Sequence, residues 1–271
     1  MNPEEYEKLD RLDRVHWFYR GKRAIVRHWI ERHLALGPED LLIDAGMGTG
    51  TWLVEMSRRC RVLGLDDHDE SLAVAGPRLR AVGGEARKTT LERVDLPDGC
   101  AAVVTLMDVL EHLDDDAAAL GEMIRLTRPG GLIVITVPAL RWLWSDWDVV
   151  LHHRRRYHRA DLLGLVRRPG VEVLRCTYIN SALLAPIALV RLCRKVRPPR
   201  PGAPRLEDAV PGRLLNALFY RSLTVPARWA WFRPPLGVSL LAVLRRTGED
   251  VGAGPASSRR GALEPLRALL P

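Results

Sequence analysis

Short apolar runs alternate with longer amphipathic stretches between residues 38 and 137. The runs have the length and composition of buried β-strands, and they lie at residues 40–45, 61–66, 101–107 and 132–137. The stretches between them have helical periodicity, and they lie at residues 51–59, before residue 80 and at 114–127. Strands that alternate with helices in this way form a parallel sheet covered on both faces. We therefore predict an α/β core over residues 38–180.

Two helices are predicted ahead of this core. The first begins at Asn2, because an Asn cap followed by proline and two carboxylates suits the positive end of a helix dipole. The second covers residues 22–36 and ends before Gly37. We expect residues 1–37 to form N-terminal helices that act as a lid over the core.

The pattern changes after the fourth apolar run. The segment 141–159 is rich in Trp, His and Arg, and a short helix at 160–167 and a strand at 171–178 are predicted beyond it. We expect an insertion at 181–236, in which two helices flank a proline-rich linker.

The last part of the chain is predicted to contain one strand and a tail. The strand is expected at 237–244 as the last strand of the core. The tail, 245–271, is rich in Gly, Ala, Ser and Arg, and we expect it to be disordered. The inserted helices could lie on an anionic membrane, cap an acceptor pocket, pair with a second subunit or cover an exposed sheet edge.

The positive charge of the chain is confined to one segment. The 271 residues include 41 Lys and Arg against 33 Asp and Glu, for a net charge of +8. Between His152 and Arg200 there are twelve basic and two acidic residues, a local charge of +10, so the remainder sums to −2. Since the charge lies in one place, we expect an anionic or membrane-proximal small molecule as partner. Nucleic acid is a less favoured partner, and the oligomeric state stays open.

The cysteines suggest a reducing environment. Four cysteines are widely spaced and form no CxxC pair, namely Cys60, Cys100, Cys176 and Cys193. We interpret them as free thiols and expect no metal site. The expected location is the cytoplasm, with peripheral contact at the inner membrane face as an extension of that hypothesis.

A glycine-rich turn after the first strand is the strongest chemical signal. Gly46, Gly48 and Gly50 lie between strand and helix, where glycine lets the backbone approach a ligand closely. Asp66 ends the next strand, where a carboxylate can accept hydrogen bonds from ribose hydroxyls. Thr51 stands where a dinucleotide fingerprint requires glycine or alanine, so an NAD-type oxidoreductase is less favoured.

With these features the sequence resembles the class I S-adenosylmethionine-dependent methyltransferases, in the bacterial ubiquinone-biosynthesis-like group. Matching segments are LLIDAGMGTG, GLDDHDESL, LPDGCAAVVTLMDVLEHLDDD, LTRPGGLIVITVPAL, HWFYRGKRAI and DVVLHHRRRYHRADL. The resemblance covers roughly residues 14 to 180. It implies a Rossmann-like, seven-stranded, mostly parallel sheet with helices on both faces and a helical insertion before the last strand. The implied cofactor is S-adenosyl-L-methionine.

The resemblance also implies which residues hold the cofactor. Asp44 and the three glycines would surround its methionine part, Asp66 its ribose and Asp67 its adenine, and Met107 and Asp108 would lie beneath the sulfonium. Relatives usually carry an Asp near the adenine amino group, where this chain has Thr89 and Thr90, so that contact stays unassigned.

The N-terminal segment holds two further candidates. Arg20 could pair with the cofactor carboxylate, and Trp17 could exclude water above the methyl group. Trp17 could equally anchor the N-terminal helix on the sheet.

Histidines near the acceptor end are candidates for a general base. A sulfonium leaves as a neutral thioether, so a base helps only where the nucleophile keeps its proton. His153 is the preferred base, and His112 is a second candidate that could equally serve packing. We expect an acceptor pocket to be formed by four residues, Trp144, Arg155, Arg156 and Tyr157. A solvated basic loop is the alternative interpretation of that segment.

One further motif suggests a different enzyme class. Asp146 and Asp148 form a D-x-D pattern, by which glycosyltransferases hold a metal-bound nucleotide sugar, but the upstream motifs do not belong to that fold. The preferred function is methyl transfer to a small-molecule or lipid-linked acceptor by in-line displacement. A non-catalytic cofactor-binding partner protein is the alternative.

Overall fold

Seven strands form one sheet in the structure, a computed structural model that describes residues 3–196 and 209–248. The strands are β1 (Leu41–Ala45), β2 (Arg61–Asp66), β3 (Glu85–Lys88), β4 (Ala101–Met107), β5 (Thr127–Pro138), β6 (Val171–Ile179) and β7 (Ser239–Arg246). Their order is β3-β2-β1-β4-β5-β7-β6. All neighbours are parallel except β7, which is antiparallel to both β5 and β6. The predicted fold class is confirmed.

The strand β3 has no counterpart in the apolar pattern of the sequence. Its residues are Glu-Ala-Arg-Lys at one edge of the sheet, and Arg87 donates to Glu85 within it. Edge strands commonly carry charged side chains, which protect the open edge from pairing with other chains. An edge strand of this kind therefore carries no hydrophobic signal.

Nine α-helices lie in the described part of the chain. They are α1 (Pro3–Val15), α2 (Trp17–His33), α3 (Thr51–Met56), α4 (Asp69–Arg80), α5 (Asp116–Leu126), α6 (Asp146–Val150), α7 (Arg159–Val166), α8 (Leu184–Val196) and α9 (Arg213–Arg228). The helix α2 begins five residues earlier than predicted, because the side chain of His16 accepts a hydrogen bond from the backbone N–H of Phe18 and caps it. A 3-10 turn at Arg141–Leu143 precedes α6.

The sheet is buried on both faces. Ile43, Val104 and Ile133 point to the face covered by α5 and α7, whereas Leu42 and Val103 point to the opposite face. This alternation follows the two-residue period of a strand. Both faces of the central strands are therefore apolar, as the uninterrupted runs in the sequence require.

The helix α9 packs on α2 and not on the sheet edge. A Cβ added at Gly21 would lie 2.6 Å from the Leu223 side chain, so the helices approach closely there. The indole of Trp29 donates to the carbonyl of Ala227 at 3.0 Å, and the backbone of Trp17 donates to Asn216 at 2.9 Å. The second helix of the insertion thus extends the layer formed by the N-terminal helices.

Some predicted boundaries are wrong. The last strand is Ser239–Arg246, not 237–244, so the first two residues predicted as tail belong to the sheet. The backbone of β7 pairs along β5 and β6 up to these residues, which sets its end. The predicted proline-rich linker at 197–208 and the tail beyond residue 248 lie outside the described residues. None of the described helices is long and apolar enough to cross a bilayer.

Candidate functional site

The carboxyl ends of β1, β2, β4 and β5 bring the predicted glycine turn and the predicted acidic residues to one edge of the sheet. Gly46, Gly48 and Gly50 all have positive φ, at 77°, 52° and 74°. A Cβ at Gly46 would lie 2.5 Å from Val109, whereas one at Gly48 would meet nothing within 4 Å. The turn therefore packs tightly at its first glycine and faces open space at its second.

Asp66 holds this turn from the end of β2. One of its oxygens accepts from the backbone N–H of Gly48 at 3.0 Å, and the other accepts from that of His68 at 3.1 Å. The side chain is nearly buried, and each oxygen keeps a lone pair for a further donor. Asp67 differs, since its carboxylate is exposed and pairs with His68 at 2.5 Å.

Asp44 is buried beneath the turn. Its carboxyl accepts from the hydroxyl of Thr105 at 2.6 Å, and that hydroxyl accepts from the indole of Trp52 at 3.2 Å. Burial raises the pKa of Asp44 to about 8, because little in its surroundings favours the charged form. The group is therefore largely protonated at neutral pH.

Asp108 directly follows β4, whose last residue Met107 is half-buried. Its φ is 57°, a conformation that Asp tolerates better than most residues. Its carboxylate forms a salt bridge with Lys22 and accepts from Thr136 at 2.9 Å. Burial opposes ionisation of Asp108, but Lys22 and Thr136 outweigh it and lower the pKa.

Lys22 was not predicted from the sequence. It is buried on α2 beneath the rings of Phe18 and Tyr19, 4.8 and 5.6 Å from their centroids. A cation that shares a helix face with Ile25 and Trp29, three and seven positions later, is the signal that could have revealed it.

The two N-terminal candidates lie elsewhere on this helix. Arg20 is exposed, and its guanidinium lies 5.4 Å from the ring centroid of Tyr220 on α9. Trp17 is buried against Phe219, with ring centroids 5.5 Å apart. The side chains of both residues thus contact α9, and it is Lys22 that α2 brings to the end of β4.

The helix α1 is tied to the glycine turn by residues that sequence reasoning missed. Asp13 accepts from the hydroxyl of Thr49 at 2.5 Å and forms an ion pair with Arg23. Asp10 accepts from both terminal nitrogens of Arg78, which also donates to the carbonyl of Thr49 at 3.1 Å. These contacts hold the first helix against the turn.

The imidazole of His153, the predicted base, is held on its Nδ1 side by Asp148. Its Nδ1 lies 2.9 Å from an oxygen of Asp148, and only 6% of its side chain is exposed. The same carboxylate oxygen accepts from Arg156 Nε at 2.7 Å, and Arg156 also donates to the carbonyl of Ala139 at 2.9 Å. Arg156, predicted to contact an acceptor, is nearly buried and supports the loop.

On its other side His153 faces Glu111 and His112. Its Nε2 lies 4.0 Å from Glu111 Oε1, and the two histidine rings meet edge to face with centroids 4.8 Å apart. Glu111 is fully buried, and neither of its carboxyl oxygens has a hydrogen-bond partner. Burial raises the pKa of Glu111 and lowers that of His112 to about 4, with Asp108 and His153 respectively adding to the effect.

These three side chains could also hold a metal. The ligand atoms of Glu111, His112 and His153 lie within 4.8 Å of one another, as do those of Asp66, Asp67 and His68. The first set is enclosed, and it has two unpartnered carboxyl oxygens. The second set is largely exposed, and exposed acidic groups are common without any ion.

A cleft of about 620 Å³ lies beside this loop. All four predicted acceptor residues line it, together with Asp116, Arg141, Arg154, Asp161 and Leu165. Tyr157 donates to Asp116 at 2.7 Å, and Arg155 pairs with the same carboxylate at 3.1 Å. Neither the residues of the glycine turn nor His153 and Glu111 line this cleft, although its lining includes the residues that follow His153 in the chain.

The helix α8 closes over the turn that precedes Asp148. Arg191 is buried and donates to the carbonyl of Leu143. Lys195 donates to the carbonyl of Trp142 at 3.3 Å. The first inserted helix therefore covers the acceptor loop, while α9 covers α2.

Comparison with known proteins gives a consistent result. A family model described as a methyltransferase domain matches residues 43–135. A probable S-adenosylmethionine-dependent methyltransferase of Mycolicibacterium smegmatis is 33% identical over 160 residues, which cover 58% of this chain and 60% of the relative. A ubiquinone biosynthesis O-methyltransferase of Sodalis glossinidius is 32% identical over 145 residues, or 48% and 57% of the two chains. The chain thus spans less than two thirds of the length of these relatives.

A solved structure supports the same fold. The geranyl diphosphate C-methyltransferase of Streptomyces coelicolor, in complex with Mg²⁺, geranyl diphosphate and S-adenosyl-L-homocysteine, has a TM-score of 0.53 and 16% identity, and the match covers 81% of this chain and 76% of that one. At that identity the likeness concerns the fold alone.

Proposed function

We propose that the protein, whose residues 43–135 match a family model described as a methyltransferase domain, transfers a methyl group from S-adenosyl-L-methionine to a hydroxyl of an anionic small-molecule or lipid-linked acceptor. The observation that carries the proposal is the pairing of two features at one sheet edge. An open glycine turn with Asp66 beside it meets a buried histidine held by a carboxylate. The first feature suits a nucleoside cofactor, and the second suits a base.

The turn fits this cofactor. Space above Gly48 admits a ligand against the backbone, and the remaining lone pairs of Asp66 can accept from two ribose hydroxyls. Lys22 forms a salt bridge with Asp108 at the end of β4, where the resemblance would place the sulfonium, and so holds that carboxylate in place. When bound, the cofactor supplies a methyl group on a leaving group that needs no acid. The protein therefore has to position the acceptor and remove its proton.

Removal of the proton falls to His153. With Nδ1 donating to Asp148, Nε2 carries the lone pair, on the side of Glu111. An acceptor oxygen about 2.8 Å from Nε2 can also lie about 2.8 Å from Glu111, since those atoms are 4.0 Å apart. A protonated Glu111 then donates to the acceptor oxygen, and His153 takes its proton. A base of this kind favours an O–H nucleophile.

The acceptor is recognised in the cleft. Three arginines with partly exposed side chains line the cleft, namely Arg141, Arg154 and Arg155, and each also pairs with an aspartate. Guanidinium groups bind carboxylates and phosphates well, and the indole of Trp144 supplies an apolar wall. The relatives include O-methyltransferases of ubiquinone biosynthesis, which agrees with a hydroxyl acceptor.

Residues 1–37 serve as the lid in this proposal, with the described part of α1 held on the glycine turn by Asp10 and Asp13. The division into lid, core at 38–180, insertion at 181–236 and a last strand, corrected to Ser239–Arg246, is part of the same proposal.

Calorimetric titration tests the cofactor assignment. We expect S-adenosyl-L-methionine and S-adenosyl-L-homocysteine to bind at one site per chain, and NAD not to bind. Binding of NAD in place of both adenosyl compounds would support an oxidoreductase. Binding of the adenosyl compounds without turnover of any acceptor would support a non-catalytic partner protein.

A membrane contact is supported by the outer faces of the insertion. Leu189, Leu192 and Val196 on α8 are 60–80% exposed, and Leu214 and Leu218 on α9 are 90% and 60% exposed. Basic residues on both helices would face anionic headgroups beside these leucines.

Vesicle flotation tests this contact. Vesicles with and without anionic lipid are compared at low and high salt, and we expect flotation only with anionic lipid and less of it in high salt. A double variant, Leu189→Ser with Leu192→Ser, should lose it. Equal flotation of both vesicle types, or none, would contradict the contact.

A further inference from the structure

Asp148 belongs to the D-x-D motif, which the sequence analysis leaves without a role. The two carboxylates of the motif differ completely in their surroundings. Asp146 is exposed, whereas Asp148 has no exposed surface. A pair split in this way does not hold one metal ion between them, so the motif does not act as a chelating unit.

The carboxylate of Asp148 is held on every side. Oδ1 accepts from His153 Nδ1 at 2.9 Å and from Arg156 Nε at 2.7 Å. Oδ2 accepts from Ser145, through its backbone N–H at 2.9 Å and its hydroxyl at 3.2 Å, and lies 3.8 Å from an Arg191 nitrogen. With both oxygens engaged in opposite directions, the carboxylate cannot rotate.

Asp148 also fixes the backbone of His153. The N–H of His153 donates to the carbonyl of Asp148 at 2.9 Å, so main chain and imidazole are held by the same residue. An ionised carboxylate accepts hydrogen bonds only, so Nδ1 of His153 must carry the proton. The lone pair of the neutral ring therefore lies on Nε2, which faces Glu111.

We propose that Asp148 is a positioning residue for the methyl transfer: it fixes the Nδ1–H tautomer of His153, and so keeps the Nε2 lone pair at the end of the sheet where an acceptor gives up its proton. This inference rests on the proposed function. In the step, the acceptor oxygen bonds to the methyl carbon, the electron pair of the sulfur–carbon bond stays on sulfur, and the O–H proton passes to Nε2. The imidazolium that results is stabilised by Asp148, and its proton then leaves to solvent.

Several charged or titratable groups face His153 from the elements packed against it. Asp148 and Arg156 lie on the Nδ1 side, and Glu111, His112 and Asp108 lie on the side of β4. Removing the charge of Asp148 leaves Arg156 beside the ring without its partner. The imidazolium formed in the step is then less stabilised.

The tautomer can be measured on the unmodified protein. In long-range ¹H–¹⁵N spectra with labelled histidine, we expect His153 to show a protonated Nδ1 and an unprotonated Nε2, its signals being identified by their loss in His153→Asn. In Asp148→Asn we expect the Nε2–H form or a mixture. A wild-type ring protonated at Nε2 would overturn the proposal whether or not the variant folds.

Turnover supplies the second measurement. Asp148→Asn should lower kcat about 10²-fold or more with the acceptor KM within about twofold, because a wrong tautomer removes the base and not the binding site.

The matched control is Asp115→Asn, at an exposed helix cap where the side chain accepts from the N–H of Ala118 at 2.8 Å. Its kcat should stay within about twofold, since Asn caps helices as well as Asp does. An unchanged kcat and tautomer in Asp148→Asn would contradict the inference. Failure to bind S-adenosyl-L-methionine with the tautomer intact would instead contradict the proposed function.

Discussion

The glycine turn after β1 is held by backbone conformation, whereas the loop at 139–158 is held by buried charge. In the turn, three glycines take positive φ and Asp66 fixes a backbone N–H. In the loop, the carboxylate of Asp148 contacts both Arg156 and His153, and a nitrogen of Arg191 lies 3.8 Å from one of its oxygens. The turn keeps open space above Gly48, and the loop nearly buries the side chain of His153. The two regions therefore respond to different substitutions.

The largest expected effect is the loss of turnover when His153, the proposed general base in the loop, is replaced. His153→Asn is expected to lower kcat by about 10²- to 10⁴-fold while binding of S-adenosyl-L-homocysteine stays unchanged, since the glycine turn is intact. The control is His152→Asn, because His152 is exposed with φ 56°, a conformation that Asn adopts readily. Equal turnover in the two variants would remove His153 from the mechanism.

The turn should lose cofactor affinity when its open face is filled. Gly48→Ala places a methyl group in the space over the backbone, and we expect calorimetry to show affinity for S-adenosyl-L-homocysteine lowered about tenfold or more. Gly83→Ala is the matched control, since Gly83 has φ 74° and equally open surroundings but lies in the turn after α4. Both variants incur about 1–2 kcal/mol of backbone strain. The same loss of affinity in both would show strain and not occupancy of the site.

The buried carboxyl of Asp44, beneath the glycine turn, should lower the stability of the folded protein near neutral pH. The folded pKa of Asp44 is raised to about 8, above its unfolded value, so the folded state holds a proton that the unfolded state releases. The contribution of Asp44 to stability therefore falls as pH rises from about 4 to about 8. Asp44→Asn keeps an acceptor for Thr105 without this loss. Its Tm should exceed that of the wild type by a few degrees at pH 7.5, and by less at pH 5. A larger gain at pH 5 would contradict the pKa shift.

The smallest effect is expected at the rim of the cleft. Arg141 is 67% exposed and pairs with Asp161 at 3.0 Å, so Arg141→Gln should change stability by less than about 1 kcal/mol. The acceptor KM should rise about threefold at low salt and converge on the wild-type value at high salt. Arg59→Gln removes a comparably exposed ion pair, with Glu31 at 2.7 Å, far from the cleft, and should leave KM unchanged. A KM effect in both variants would reflect net charge alone.

The difference between the regions also explains what the sequence could predict. A turn with positive φ requires glycine at fixed spacing, so residue type alone reveals the glycine turn, and the apolar runs reveal the buried strands. The identity of a charged residue, in contrast, does not show whether its side chain is buried or exposed. Arg154 is exposed and Arg156 is buried, although they stand two positions apart in one basic stretch. Burial of Arg156 and Arg191 depends on where Asp148 lies in the folded chain.

Two other features escaped prediction for related reasons. The edge strand β3 lacks apolar side chains because its charges protect an open edge. Lys22 lies on an apolar helix face, where the sequence pattern suggests only a lysine at the boundary between the apolar and polar faces. Its partner Asp108 lies 86 positions away. A pairing over that distance becomes visible only when α2 packs against the sheet edge.

Transfer of an isotopically labelled methyl group tests the central claim most directly. The full chain is incubated with labelled S-adenosyl-L-methionine and a fractionated metabolite and lipid extract, beside His153→Asn and His152→Asn. We predict label in an anionic product, at equal rates for the wild type and His152→Asn and at least about 10²-fold more slowly for His153→Asn. Tight cofactor binding with no transfer to any fraction, or equal transfer by all three proteins, would contradict the account.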